Sequence, residues 1–443
     1  MKDKMKRAYA ALLLPAFLLC GCGSDASSEA MMSAPAGDPA PSAAVAEYSA
    51  EAADDGAAVG EATEKADYAP DAAAEEAVPA ETAPDPDGEI PESQIESVTE
   101  PPPDDGSQPF VLTAGEWNDN ENWGFFSNLV HSGTIAFPSY GLDPVHKISV
   151  SVTQSGAPAA NQTVTLQDDD AVIWQAKTDR SGNAYLFYPA NGSEPVQYTI
   201  HAADAAPVTC EIAAEKSGEQ GGISVPQNAY SVEITAEPVK YEKTEVMFIL
   251  DTTGSMGDEI TYLQKDFSAI AGEVSNENMT FSVNFYKDEG DDYVTRCNPF
   301  TDDVTDVQAK LNQEFADGGG DSPEAVAQIL TETITNGEWS RDTNKIAFLI
   351  FDAPPHTGTA DAICAAAAAA AEKGIRIVPV VASNAERETE LFGRALAIMT
   401  DSNYVFLTDD SGVGDSHLEP IIGSYQVELL HDIIVRNIRE IAS

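Results

Sequence analysis

The sequence predicts two folded domains of different class behind a disordered N-terminal linker: an α/β doubly wound domain at the C-terminal end, and an all-β sandwich before it. Three observations predict this. From Lys243 onward, continuous apolar runs alternate with segments of helical period. Between Lys147 and Ile234, short runs of period two recur, separated by Gly, Pro, Asn, Asp and Ser. From Gly23 to Ser107 large hydrophobic residues almost vanish, and 22 acidic residues face the single Lys65.

The 443 residues carry 74 Asp and Glu against 23 Lys and Arg, a net charge of −51. A surface that binds phosphates needs lysines and arginines, so this balance excludes nucleic acid and anionic headgroups as partners. Divalent cations are the natural counterions.

The chain opens with Lys2, Lys4, Lys6 and Arg7, then an apolar stretch from Ala8 to Leu19 that is too short to span a bilayer. Residues 1–21 therefore read as a secretory signal. Its end, Leu19-Cys20-Gly21-Cys22, resembles the lipobox of bacterial lipoproteins, which implies diacylation at Cys22. Cys20 is the alternative, but it would put Leu18 and Leu19 where small residues belong. Two acyl chains suffice for stable attachment. The resemblance thus implies a lipid-anchored protein on the extracytoplasmic side of the cell membrane. Cys210, Cys297 and Cys364 remain, an odd count that implies no disulfide framework.

Residues 22–107 cannot bury enough apolar surface to offset their ordering entropy. As a coil they would span roughly 50 Å, more with charge repulsion, and act as a stalk.

Residues 108–240 are expected to form the β-sandwich with an aromatic N-terminal segment. That segment, Gly115-Glu-Trp117-Asn-Asp119-Asn-Glu-Asn-Trp123-Gly-Phe-Phe126, is oxygen-rich but lacks the spacing of a calcium loop. It reads as a polar turn whose aromatics dock on a neighbouring domain. Seven strands follow, at 147–152, 163–167, 171–176, 184–188, 197–201, 208–212 and 231–234. The run from Gly156 to Asp168 and the hairpin Thr178-Asp-Arg-Ser-Gly-Asn-Ala-Tyr-Leu186 resemble the carboxypeptidase-regulatory-like or bacterial Ig-like module, which implies a rigid extension.

In residues 243–443 the expected strands are 246–250, 280–286, 346–351, 375–381 and 404–407. The expected helices are 257–272, 323–335, 360–373, 385–399 and 419–441. The seven alanines from Ala365 to Ala371, closed by Gly374, form a close-packing helix with a terminator.

Three loops gather oxygen ligands at one sheet edge, where open α/β folds keep their sites. Asp251, Thr253 and Ser255 follow a buried strand. Gly318-Gly-Gly-Asp321-Ser-Pro-Glu324 precedes a helix. Phe351-Asp352-Ala-Pro-Pro-His356 follows another apolar strand. Carboxylates and hydroxyls without His or Cys suit Mg²⁺, or Ca²⁺ and Mn²⁺. Asp288, Asp291 and Asp292 read as solvated loop charges, and His356 as a loop contact.

These residues resemble a von Willebrand factor type A (vWA) domain, a Rossmann-like fold, and its metal-ion-dependent adhesion site (MIDAS), Asp-x-Ser/Thr-x-Ser. The resemblance extends to Tyr286-Lys-Asp288, Pro299-Phe-Thr301-Asp-Asp and the Gly318–Glu324 run. It implies Asp251, Thr253, Ser255 and Asp352 as metal ligands. The family's second-loop threonine has no counterpart; Gly320, Asp321 or Ser322 takes its place, with Asp321 preferred. Three ionised aspartates around a divalent ion would leave the site near −1, which weakens its pull on an incoming carboxylate.

The implied function is metal-dependent cell adhesion, the binding of a protein ligand by a cell-surface lipoprotein. The alternative is an assembly factor of an envelope complex in which the domain docks constitutively. An enzyme is not expected. An Asp after an apolar strand also resembles the haloacid-dehalogenase-like enzymes, but Thr253 stands where their second Asp must be. Ser255 has no paired histidine, and there is no His-Glu-x-x-His.

Overall fold

The computed structural model describes residues 111–137, 140–214, 225, 228–320, 322–412 and 416–442. The expected signal, stalk and lipidation residue Cys22 lie outside the described residues, as does Asp321. Among the described residues, no helix is long and apolar enough to cross a membrane.

In chain order the elements begin with β1 (Thr113–Trp117) and α1 (Trp123–His131). An all-β run follows: β2 (Lys147–Gln154), β3 (Ala157–Pro158), β4 (Thr163–Asp168), β5 (Ala171–Lys177), β6 (Asn183–Phe187), β7 (Val196–Ala202), β8 (Val208–Ile212) and β9 (Asn228–Ile234). The α/β part then runs β10 (Thr244–Asp251), α2 (Gly257–Val274), β11 (Met279–Tyr286), β12 (Thr295–Arg296), α3 (Val304–Leu311) and α4 (Val326–Leu330). It closes with β13 (Asn344–Phe351), α5 (Ala360–Lys373), β14 (Ile375–Val381), α6 (Arg387–Thr400), β15 (Tyr404–Thr408), β16 (Glu428–Leu429) and α7 (Leu430–Ala442).

One mixed sheet of eight strands organises the α/β part, in the order β12-β11-β10-β13-β14-β15-β1-β16. Strands β11, β10, β13, β14 and β15 run parallel. They are buried on both faces, which is why they read as unbroken apolar runs. Alternate residues serve opposite faces. Val246, Phe248 and Leu250 of β10 pack with residues of α2, α3 and α7, while Met247 and Ile249 pack with residues of α4, α5 and α6. Successive strands are added on one side of β10 (β11) and then on the other (β13, β14, β15), so the carboxyl ends of the parallel β10 and β13 flank a topological crevice.

The all-β run forms two four-stranded sheets, one of β3, β2, β6 and β9 and one of β5, β4, β7 and β8. Their alternate residues, among them Val150, Leu186, Leu166 and Ile200, share one apolar cluster. That cluster continues into Ala366, Ala367 and Ala370 of α5. The small side chains of the alanine run thus let a helix of the α/β part lie close to the β sheets.

Two sequence expectations are corrected. Residues 113–117 do not join the two four-stranded all-β sheets: β1 pairs antiparallel with β15 over Thr113↔Thr408 to Trp117↔Tyr404, so the all-β run is inserted between two strands of the α/β sheet. Pairing with β15 decides this, because the strand itself has little apolar character. The final helix begins at Leu430, not Glu419. Pro420 and Gly423 break the expected helix; Gly423 lies against the Trp117 ring, where a Cβ would come within 2.5 Å of it.

Candidate metal site

The crevice between β10 and β13 collects the sequence-predicted loops. Asp251 is the last residue of β10 and is fully buried. Its Oδ1 accepts from the backbone N of Thr253 at 2.9 Å and from the Thr253 hydroxyl at 2.6 Å. Its Oδ2 is buried and makes no hydrogen bond of normal geometry, with the likewise buried Tyr286 hydroxyl as its polar neighbour. Asp352 follows β13 directly, and the exposed Ser255 hydroxyl lies near enough to offset part of the rise in its pKa. Four of the five expected ligand residues, Asp251, Thr253, Ser255 and Asp352, therefore meet at one crevice; the fifth, Asp321, is outside the described residues.

The second loop straps over the first. Gly254 N donates to Gly318 O at 3.2 Å, and Asp317 N donates to Thr252 O at 3.2 Å. Gly319 holds φ +75°, and a Cβ there would sit 2.9 Å from Glu324 Oε1 and 3.0 Å from Thr253 Cβ, so a side chain cannot replace it without displacing both. Glu324 also ties the second loop to the third through its N–H to Pro354 O at 3.1 Å.

Glu324 is a residue the sequence reading quoted but did not assign. It is 4% exposed, and its Oε2 is buried without a partner. Burial, and then the charges of Asp251, Asp288 and Asp352, push its carboxyl up to about 9. Its place at a helix start after Pro323 was the only hint, because nothing in the sequence tells that its oxygens turn back toward Thr253.

Asp288 and Asp291, expected as solvated charges, instead brace the loops. Asp288 is buried and hydrogen-bonds His356 Nε2 at 2.7 Å, and Asp291 accepts from Gly319 N at 2.9 Å and Asp288 N at 3.0 Å. The electrostatic need for this is plain: unmet backbone N–H groups in tight glycine loops favour a nearby carboxylate. Asp292 remains exposed.

Burial and mutual repulsion shift the carboxyls upward. Asp251 is pushed up to about 7 by desolvation and then by the charge of Asp352, against the donors of Thr253 and the neighbouring Tyr286. Asp352 is pushed up to about 6 by desolvation, against the Ser255 hydroxyl. Buried carboxylates with an unpaired oxygen beside two hydroxyls are short of positive charge, and the all-oxygen donor set fits a hard divalent cation. Among the described residues, no group of three His, Cys, Asp or Glu side chains is placed to hold a metal.

The oxygen-rich loop at 115–126 has its side chains engaged within the protein. Asp119 takes both ends of the buried Arg394, Asn120 accepts from Lys147 Nζ at 2.7 Å, and Glu116 pairs with Arg436. Its aromatics stack locally, Trp123 on Phe126, and Lys147 lies 3.4 Å from the Trp123 ring centroid.

The chain is similar to the following known proteins. Residues 245–415 match the family model described as the von Willebrand factor A domain. An ariadne-like RING finger protein of Acanthamoeba polyphaga mimivirus is 28% identical over 117 residues, which is 25% of this chain and 11% of that protein. The chain thus spans about a tenth of that relative's length. The crystal structure of the conserved hypothetical protein BatB from Bacteroides thetaiotaomicron superposes with a TM-score of 0.26 at 17% identity, covering 45% of this chain and 86% of that one. Residues 245–415 of this chain are a von Willebrand factor A domain, a general protein-interaction module.

Proposed function

We propose that the chain is a lipid-anchored protein of the extracytoplasmic cell surface whose vWA domain binds a protein ligand through a divalent cation, with no catalytic role. Asp251, Thr253, Ser255 and Asp352 would hold the cation, Mg²⁺ or else Ca²⁺ or Mn²⁺, with Asp321 as the second-loop ligand. When bound, the cation would offer a positive point to a carboxylate of the partner. Asp251 anchors Thr253 through two hydrogen bonds. Ser255 is the exposed member of the set, which suits contact with a partner. The single observation that supports the reading is a fully buried Asp251 carboxyl, with an oxygen that makes no hydrogen bond of normal geometry, close enough to feel the charge of the buried Asp352 at the end of the adjacent parallel strand.

A second reading keeps the domain as a constitutive docking module of an envelope complex. The lack of a three-carboxylate or histidine cluster among the described residues favours it. Capture of partners from the protein's own cell surface, with Mg²⁺ and with EDTA, separates the two. Loss of the partner in EDTA while circular dichroism is unchanged supports metal-dependent adhesion; equal capture in both sinks it and leaves the docking module.

A further inference from the structure

A buried lysine lies against a buried side-chain amide where the loop after β1 meets β2. Lys147, the first residue of β2, is 3% exposed, and Asn120 is 9% exposed. Lys147 Nζ lies 2.7 Å from Asn120 Oδ1, although the two residues are 27 positions apart. The amide is held at its other end as well, because Asn120 Nδ2 donates to Ile398 O at 3.0 Å. The carbonyl carbon is one C=O bond beyond the oxygen, so it is at most about 4 Å from Nζ.

A buried lysine ordinarily has a carboxylate as its partner. Here the hydrogen bond goes to a neutral amide oxygen, and the neighbours are aromatic: Nζ is 3.4 Å from the Trp123 ring centroid and 4.4 Å from that of Tyr185. Burial pushes the Lys147 amine down to about 7, against the charges of Asp401 and Asp119. At neutral pH much of it is therefore the free amine, a nucleophile with a lone pair. Turning the amide about its Cβ–Cγ bond presents the carbonyl face to Nζ. Nucleophile and carbonyl held together with water excluded react as if at an effective concentration on the order of 10⁵ M when well oriented.

We propose that Lys147 and Asn120 join through an intramolecular isopeptide bond. Nζ attacks Asn120 Cγ, the Nζ–Cγ bond forms, and the Cγ–Nδ2 bond breaks. Of the two protons on Nζ, one stays on the new amide and one leaves with Nδ2 as ammonia, so no oxidant, reductant or further reactant is consumed. One amide replaces another, and the escape of ammonia into dilute solution draws the exchange forward. The product is uncharged, which removes the cost of a buried ammonium. The bond would weld the loop after β1, which Asp119 already ties to Arg394 of α6, to the first strand of the all-β run. It would also close the segment that carries α1 into a covalent loop, and such closure stabilises by restricting the unfolded chain.

The test digests the full chain, purified folded and then denatured, with trypsin, which cuts after a free lysine but not after an acylated one. No Lys or Arg lies between Lys65 and Lys147 or between Lys147 and Lys177. An unlinked chain therefore yields residues 66–147, whereas a linked chain yields residues 66–177 as one peptide, lighter than its sequence by one ammonia. Chymotrypsin then releases a branched peptide, in which fragmentation places the bond between Asn120 and Lys147. Most of the wild type should be linked, and Asn120→Ala should restore cleavage after Lys147. If that variant does not fold, the digest of the wild type decides alone. Complete cleavage after Lys147 overturns the proposal and leaves a hydrogen-bonded lysine in an aromatic cage. Asn120 found as aspartate beside a free Lys147 overturns it too, since water would then be the nucleophile, as does an ammonia loss that persists in Asn120→Ala. The experiment needs neither a cation nor a partner, so its outcome is independent of the adhesion reading.

Discussion

Arg394 and Asp119, 275 positions apart, form a fully buried bidentate ion pair: Nε and Nη2 donate to the two carboxylate oxygens at 2.8 Å each. Arg394 Nη1 also donates to Glu390 at 3.1 Å and to Ile421 O at 2.8 Å. The pair ties the loop after β1 to α6, and thus the entering chain to the vWA sheet. A buried charge that loses its partner is strongly destabilising, by about 3–5 kcal/mol, whereas replacing both partners with apolar groups costs far less. Asp119→Ala should therefore lower urea-unfolding stability by about that amount, and Asp119→Leu combined with Arg394→Met should recover only part of it, because the buried Glu390 keeps Arg387 but loses Arg394. A double variant no more stable than Asp119→Ala would mean that the pair does more than neutralise itself.

The insertion of β1 into the sheet makes a second prediction. A fragment of residues 243–443 lacks β1, so the long edge of β15 loses its partner and Arg394 loses Asp119. Exposed strand edges invite association. The fragment should be oligomeric or aggregated by light scattering, and a chain of residues 108–443 should be monodisperse. A monomeric, cooperatively melting 243–443 fragment would show that β1 is dispensable.

How far the sequence discloses the fold differs from element to element. β10 and β13 are legible because burial on both faces writes itself as Val246 to Leu250 and Ile346 to Phe351. β1 is not: Thr113-Ala-Gly-Glu-Trp117 has a glycine at its centre. That glycine is there because the Phe406 ring lies over it, where a Cβ would come within 2.3 Å. Only the neighbouring strand explains it. At the crevice, the spacing of Asp251, Thr253 and Ser255 carries the motif, and the fold alone brings Glu324 and the Asp288–His356 pair to the same loops. Local spacing encodes ligands from one loop, whereas convergence between loops depends on topology.

The raised carboxyls set a pH dependence. In the unfolded chain Asp and Glu titrate near 4. Asp251, Asp352 and Glu324 are pushed up to about 7, 6 and 9 in the fold. Between pH 4 and those values the folded state holds more protons than the unfolded one, so the metal-free protein should lose stability as pH rises from about 4 to 9. A cation that displaces the protons reverses the trend. Melting temperatures in EDTA should fall across pH 5 to 7, below the range where the lowered Lys345, and Lys147 while it is a free amine, oppose the trend, and the stabilisation by millimolar Mg²⁺ should grow from pH 5 to 8.5. A Mg²⁺ effect equal at pH 5 and pH 8.5 would separate the cation from these carboxyls.

The lipobox resemblance predicts that Cys22→Ala leaves an unprocessed precursor or a misplaced protein, read by membrane fractionation and by the mass of the N-terminal fragment. Normal membrane retention of Cys22→Ala would move the anchor to Cys20 or elsewhere.

The last prediction concerns Asp251. Its Oδ1 is committed to Thr253 and its buried Oδ2 makes no hydrogen bond of normal geometry, so the residue both orients a hydroxyl and leaves an oxygen for a cation. Asp251→Ala should abolish divalent binding. In the metal-free protein the same change removes a desolvated group that repels Asp352, which relieves strain, although it also frees the Thr253 donors; the melting temperature in EDTA should equal or exceed that of the wild type. A ligand that binds only the folded state stabilises it with the logarithm of its concentration over its dissociation constant. The wild type at a hundredfold excess over that constant should gain about 2.7 kcal/mol, and the variant nothing. Asp251→Asn refines the assignment, since it preserves shape and one acceptor oxygen but not charge, and should retain at most weak Mg²⁺ stabilisation. Equal Mg²⁺-induced shifts in wild type and Asp251→Ala would place the cation outside this crevice, and the adhesion mechanism proposed here would go with it.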